Sequence, residues 1–314
     1  MKRLRFLVSL VTEDNDYQRE QAAAAQETAH RLGADVSILY AEGDPITQSQ
    51  QLLSVIQGPR EARPDGIALD PASGTSLPHV ARAAVSAGIA WAVMNREAAY
   101  LQELRARASV PVFSVTSDHL ESGRIQAQQV AALLPRGGNV LYLQGPSDYP
   151  AASLRTQGMQ QRKPSNVNLI LLRGKWTEES GYKSVASWAR LSTSQKLSVD
   201  MFCAQNDSMA MGARKAIQEV ADPALREKWL ALPFTGVDGL PKTGQAFVRS
   251  GLLAATIVVA PNTHLAIELL TEALRKGTNP PALSLTTPAS YPKVEELASA
   301  KSAPNLAKEH VLAH

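Results

Sequence analysis

Six apolar runs along this chain are each followed by residues that hydrogen-bond or stack. Asn15, Asp16 and Tyr17 follow the first, and Asn95 and Arg96 follow the run ending at Met94. A loop leading to Arg155 follows Leu143, and Trp176 follows Arg173. Gln205, Asn206 and Asp207 follow Ala204, and Asp238 and Gly239 follow Val237. Arginine only donates hydrogen bonds, an ionised carboxylate only accepts them, and amides do both. Tyr17 and Trp176 add flat apolar faces. The set holds no nucleophile paired with a base, so it suits gripping a polar small molecule better than breaking a bond. Each member also has a plainer reading. Asn15, Asn206 and Asp238 equally suit helix caps or turns, Arg96 and Arg155 suit surface arginines, and Trp176 suits half-buried packing.

The runs that would carry these residues read as strands. They are Leu4–Val11, Asp35–Tyr40, Gly66–Leu69, Ile89–Met94, Val110–Val115, Asn139–Leu143, Asn168–Arg173, Val199–Ala204, Phe234–Val237 and Ala254–Val259. Tyr17–Leu32, Thr75–Ala87, Asp118–Leu134, Asp207–Val220 and Asn262–Lys276 show the three-to-four spacing of amphipathic helices. Ala221–Leu232 reads as an inserted surface helix, and the tail from Glu295 as a loose end. Alternation of strand and helix implies parallel sheets with right-handed crossovers. About ten strands in 314 residues divide more naturally into two sheets than one. In such sheets ligands bind at the carboxyl ends of the strands, where the polar residues above fall.

Composition narrows the classes further. Hydrophobic residues at 44% and charged residues at 19% exclude a disordered or coiled-coil chain. No apolar run approaches the about 18 residues of a membrane-spanning helix. The 32 Lys and Arg are scattered against 29 Asp and Glu, with no stripe to grip a phosphate backbone, so nucleic acid is not an expected partner. The single cysteine, Cys203, excludes an internal disulfide and a cysteine zinc cluster, and inside an apolar run it reads as an inert core thiol.

Catalytic and cofactor motifs fail. No Gly-x-Gly-x-x-Gly follows the first strand, and no Gly-x-Ser-x-Gly elbow occurs. Gly239–Gly244 copies the glycine spacing of a phosphate loop, but Gln245-Ala246 stand where Lys and Ser/Thr are required. His310 and His314 have one-face helical spacing without the glutamate of a metalloprotease. No metal, no cofactor and no catalytic residue is expected.

Three motifs carry a resemblance. Phe202-Cys203-Ala204-Gln205-Asn206-Asp207-Ser208-Met209-Ala210-Met211-Gly212-Ala213, Gly236-Val237-Asp238-Gly239 and Gly251-Leu252-Leu253-Ala254-Ala255-Thr256-Ile257 resemble signatures of the ribose-type periplasmic sugar-binding proteins, the solute receptors of ABC transporters. The resemblance reaches to about Pro292. It implies an α/β fold of two Rossmann-like domains with parallel sheets, joined by a three-crossing hinge, with sugar bound in a cleft between the lobes. The lobes would be 1–117 plus 260–287 and 118–259 plus 288–314. Carried over by position, Asn15, Tyr17, Asn95 and Arg96 would contact ligand from the first, and Arg155, Trp176, Asn206 and Asp238 from the second. Thr116, Ser117 and Asp118 look like the first crossing, with Val259 and Ala260 at another, which we align with the third. A pyranose has a hydroxyl rim and an apolar C–H face, which this mixture of donors, acceptors and aromatic rings can match. Relatives usually have Asp-Arg where this chain has Asn95-Arg96, and often Gln where it has Val259.

The expected function is non-enzymatic binding of a monosaccharide or related polyol, as the solute receptor of a sugar importer. Its partner would be an ABC transporter permease, and the receptor would act as a monomer. A ligand-sensing domain serving a signalling partner is the alternative, and an enzyme on a sugar-like substrate the second. A repressor of related fold is disfavoured because the first strand begins at Leu4. The resemblance implies a periplasmic location. Met1-Lys2-Arg3 looks like the start of a signal peptide, yet Leu4–Val11 runs into Thr12-Glu13-Asp14-Asn15-Asp16 with no small-residue cleavage site. Either the chain works in the cytoplasm or its leader is absent from this sequence.

Overall fold

Alternate residues of the first strands point to two different apolar cores. Phe6, Val8, Leu10, Ala92 and Met94 pack on one face, and Leu7, Trp91 and Val93 on the other. A strand buried on both faces reads as an unbroken apolar run, which is why these strands stand out in the sequence. The computed structural model describes residues 3–72, 77–191 and 197–302.

In chain order the first elements are β1 (Arg5–Leu10), α1 (Asp16–Arg31), β2 (Asp35–Tyr40), α2 (Pro45–Gln57), β3 (Gly66–Leu69), α3 (Pro78–Ser86), β4 (Ala90–Met94), α4 (Tyr100–Arg107) and β5 (Val112–Ser117). Next come α5 (His119–Leu133), β6 (Gly138–Gln144), α6 (Pro150–Arg162), β7 (Val167–Arg173), α7 (Glu178–Ala189), β8 (Met201–Ala204) and α8 (Asp207–Gln218). The rest are α9 (Pro223–Leu230), β9 (Phe234–Thr235), α10 (Gly244–Arg249), β10 (Thr256–Val258), α11 (Asn262–Lys276), β11 (Leu283–Thr286), β12 (Ala289–Tyr291) and α12 (Val294–Ser302).

The chain forms two compact units. Unit 1 comprises Met1–Asp118, Asp148–Ala151 and Val259–Thr287; unit 2 comprises His119–Ser147, Ala152–Val258 and Pro288–His314. Unit 1 holds a six-stranded sheet in the order β11-β5-β4-β3-β1-β2, every neighbour parallel. Unit 2 holds a parallel sheet in the order β7-β6-β8-β9 and an antiparallel pair, β10 with β12. Its sheet likewise divides two cores: Leu141, Leu143, Phe202 and Ala204 face one, and Val140, Tyr142, Met201 and Cys203 the other.

Several expectations are corrected. β5 extends beyond the expected end at Val115, because Thr116 and Ser117 pair with Leu285 and Thr286 of β11. Val259 follows β10, and the chain changes unit between Val258 and Val259. The helix in Ala221–Leu232 exists as α9, but it is no mere surface insertion: Trp229 is fully buried and packs on Trp188 with ring centroids 5.1 Å apart. Removing such a ring costs about 3–5 kcal/mol. The tail is not loose at its start, because α12 buries Leu297 in the core of unit 2. Thr75, His310 and His314 lie outside the described residues. No helix among the described residues is long and apolar enough to cross a membrane.

Candidate ligand-binding site

In unit 1 the ends of β1, β3 and β4 gather one polar cluster. Asn15 has extended backbone and caps α1, its Oδ1 accepting from the amides of Tyr17 (2.9 Å) and Gln18 (3.3 Å). The cap uses the oxygen and leaves Nδ2 available, so capping and ligand contact are compatible. Tyr17 donates its hydroxyl to Asn95 Oδ1 at 3.2 Å. Arg96 is only 4% exposed, so it is not a surface arginine. It donates to the Pro71 carbonyl at 3.0 Å and lies over the Tyr149 ring, 4.8 Å from its centroid.

The centre of this cluster is Asp70, a residue outside the expected ligand-binding set. It follows β3 as Asn95 follows β4, so it carried the same strand-end signal. Its Oδ2 accepts from Gln18 Nε2 at 2.6 Å and from Asn95 Nδ2 at 2.7 Å. Burial pushes its carboxyl above the usual aspartate range, against the pull of the Arg96 charge and the two amide bonds.

Unit 2 gathers a second cluster at the ends of β6, β7 and β8. Arg155, on α6, is 5% exposed and again not a surface residue. It donates to the Gln205 carbonyl and lies 5.5 Å from the Trp176 ring centroid, while its Nε has no partner among the described residues. Gln205 is fully buried and ties strands to helices: it accepts from the Gly145 amide at 2.8 Å, and its Nε2 lies 2.9 Å from Tyr142 Oη and 3.0 Å from the Ala152 carbonyl. Asn206 caps α8 through Met209 N at 2.9 Å and donates Nδ2 to the Trp176 carbonyl at 2.9 Å. It therefore holds the Trp176 loop as well as the helix.

Asp238 follows β9, and its amide donates to the Ile257 carbonyl at 3.0 Å. Beside it Asp207 is buried, accepting from Thr256 Oγ1 at 2.6 Å and from Gly239 N at 2.8 Å. Burial, and then the neighbouring Asp238 charge, push Asp207 well above the ordinary carboxylate range. The phosphate-loop-like glycines are explained here. A β-carbon on Gly244 would come within 2.0 Å of Asp207 Oδ2, and one on Gly236 within 2.1 Å of Oδ1. The glycines let this loop close around the Asp207 carboxyl.

Five described non-glycine residues have positive φ, and three of them are Asn95 (62°), Trp176 (66°) and Asp238 (110°). Such backbone costs on the order of 1–3 kcal/mol per residue and clusters at functional sites. Among the described residues, no group of three or more His, Cys, Asp and Glu could hold a metal ion.

Two α/β units with parallel sheets and polar clusters at their strand ends make this a type I periplasmic binding protein. The chain belongs to the periplasmic binding protein domain family, whose model it matches over residues 6–278, and within it to the ribose-type sugar-binding solute receptors. It is 26% identical to the ribose import binding protein of Escherichia coli strain K12 over 238 residues, 76% of this chain and 73% of that protein. Its fold is similar to an ABC transporter periplasmic solute binding protein from Actinobacillus succinogenes 130z with bound D-allose, at a TM-score of 0.78 and 19% identity, covering 95% of this chain and 100% of that one. It is also similar to an ABC transporter solute binding protein from Bacillus halodurans C-125 with bound myo-inositol, at a TM-score of 0.74 and 20% identity, covering 95% and 98%. The family consists of non-enzymatic solute-binding proteins of the periplasm.

Proposed function

We propose that this chain is a periplasmic, monomeric receptor that binds a neutral monosaccharide or polyol without altering it and delivers it to an ABC-type permease. The observation that carries this reading is the backbone strain. Three of the residues that the family resemblance assigns to ligand, Asn95, Trp176 and Asp238, are also among the five held at positive φ. Strain at positions chosen on other grounds argues that their side chains are aimed for use. The bound compounds of similar proteins, D-allose and myo-inositol, support the ligand class. Asn15, Tyr17, Asn95 and Arg96 contact the ligand from unit 1, and Arg155, Trp176, Asn206 and Asp238 from unit 2. Thr116, Ser117, Asp118, Val259 and Ala260 serve as the hinge.

Asp207 and Asp238 are neighbouring carboxylates, the pairing an acid–base enzyme would use. Asp207 is 3% exposed with both oxygens engaged by Thr256 and Gly239, so it is not placed to exchange protons with a substrate.

Mass spectrometry of small molecules that copurify with the protein, followed by thermal-shift assays on those compounds, tests the proposal. A ligand at 100 times its dissociation constant adds about 2.7 kcal/mol of stability, which is readily seen. A neutral polyhydroxylated compound recovered intact is expected. Stabilisation by anionic compounds alone, or chemical change of the bound compound, would overturn it.

A further inference from the structure

β3 and β4 are neighbours, with Leu69 paired to Val93, so Asp70 and Asn95 leave the sheet side by side. Asp70 Oδ2 accepts from Asn95 Nδ2 at 2.7 Å and from Gln18 Nε2 at 2.6 Å. An ionised carboxylate has no proton to donate, so the nitrogen of Asn95 must face Asp70 and its Oδ1 must face away.

That orientation propagates. Asn95 Oδ1 accepts from the Tyr17 hydroxyl at 3.2 Å and from Asn262 Nδ2. Asn262, fully buried, must then present Oδ1 to Thr286, whose hydroxyl donates to it at 3.1 Å. With that proton engaged, the 3.0 Å contact between Ser117 and Thr286 has to be donated by Ser117. One acceptor at the end of β3 therefore sets the direction of each bond as far as the β5–β11 strand pair.

The consequence for a ligand lies at Asn95, which is half-buried and not sealed. Both acceptor positions of its Oδ1 are filled. Its remaining capacity is the second Nδ2 hydrogen, which has no partner among the described residues. We propose that Asp70 is a specificity-determining positioning residue: by holding the Asn95 nitrogen it makes Asn95 an N–H donor toward the ligand. The oxygen selected there is one that accepts, such as a ring, ether or carboxylate oxygen or a suitably turned hydroxyl. An aspartate at position 95 would demand a donating hydroxyl in the same place. This inference rests on reading the strand ends of unit 1 as ligand-binding.

The test compares three proteins: the parent, Asp70→Ala, and the exchange variant Asp70→Asn with Asn95→Asp. Without ligand, side-chain amide NMR should show one Asn95 Nδ2 proton exchanging at least about tenfold faster in Asp70→Ala than in the parent, a factor equivalent to about 1.4 kcal/mol. Calorimetry and thermal shift with D-ribose, D-allose, myo-inositol and D-galacturonate supply the second readout. The exchange variant restores a carboxylate–amide pair with reversed polarity. It should recover the parent's ligand-free melting temperature yet bind the parent's best probe at least about tenfold more weakly and rank the four probes differently. Unchanged Asn95 exchange in Asp70→Ala, or an exchange variant that keeps the parent's ranking and affinity, overturns the proposal. Should Asp70→Ala not fold, the exchange variant alone decides. A parent that binds neither these probes nor any neutral polyhydroxylated compound that copurifies with it overturns the receptor reading instead, and this inference falls with it.

Discussion

The indole of Trp176 occupies the space that a β-carbon on Gly145 would need: the hypothetical carbon comes within 2.2 Å of two ring atoms. Gly145 follows β6 and donates its amide to Gln205, so the aromatic face is seated on bare backbone that is itself held in place. Gly145→Ala must displace the ring. We expect a stability loss of about 1–3 kcal/mol from overpacking, with ligand affinity reduced although no polar group is removed. Calorimetry and urea unfolding of the variant check both; retention of parental affinity would show that Trp176 does not touch ligand.

Arg155→Ala should weaken ligand binding by at least about tenfold. A charged donor contributes about 1.5–3 kcal/mol per hydrogen bond, and tenfold needs only about 1.4 kcal/mol. The same direction is expected for Asp238→Ala. Titration calorimetry with the copurified compound measures each, and an unchanged dissociation constant removes that residue from the site.

Ligand should alter intrinsic fluorescence mainly through Trp176. It is half-buried, whereas Trp91 and Trp229 are 0% exposed and Trp188 is 6% exposed, so these three already have environments closed to solvent. Comparing the parent with Trp176→Phe tests this: the Phe variant should lose most of the spectral change.

The raised carboxyl of Asp207 gives a pH signature. A folded value above the unfolded one, about 3.9 for aspartate, adds stability in full below that pH. The contribution is lost as pH rises through the raised folded value. Asp207→Asn should flatten this decline, since its amide can donate to Thr256 Oγ1 and accept from Gly239 N. Denaturant unfolding from pH 4 upward, on parent and variant, reads the difference; parallel curves would show that Asp207 does not titrate abnormally.

Cys203 should resist thiol reagents until the protein unfolds. It is 1% exposed, and burial pushes its thiol up to about 12, so little thiolate exists at pH 8. Labelling in buffer and in denaturant, followed by mass spectrometry, should give none and one adduct respectively.

What was legible in the sequence followed burial. Strands buried on both faces, such as β4, are plain apolar runs, and the polar residues after them mark the strand ends. α6 was hidden because its buried face is built from Ala152, Arg155, Gly158 and Met159, so hydrophobic periodicity is nearly silent. Gly158 is there for close approach: a β-carbon on it would meet the Leu120 carbonyl at 2.0 Å. β11 and β12 were missed because they are short and half-exposed. Asp70-Pro71 reads locally as a turn, and nothing in its own neighbourhood shows that Gln18 and Asn95 converge on it. The arginines could be placed at strand ends, but their burial depends on Tyr149 and Trp176, which lie 53 and 21 positions further along the chain in the numbering of the sequence.

β11 completes the sheet of unit 1 from far along the chain, since Ser117 and its partner Thr286 are separated by 169 positions. During synthesis at about 5–20 residues per second, the exposed edge of β5 waits roughly ten seconds or longer after it leaves the ribosome before the strand that covers it exists. Unfinished edges of this kind recruit other chains. Nascent protein is thus most exposed to aggregation while unit 2 is being made, and chaperone capture in that interval would favour its yield more than any improvement in the stability of the finished molecule.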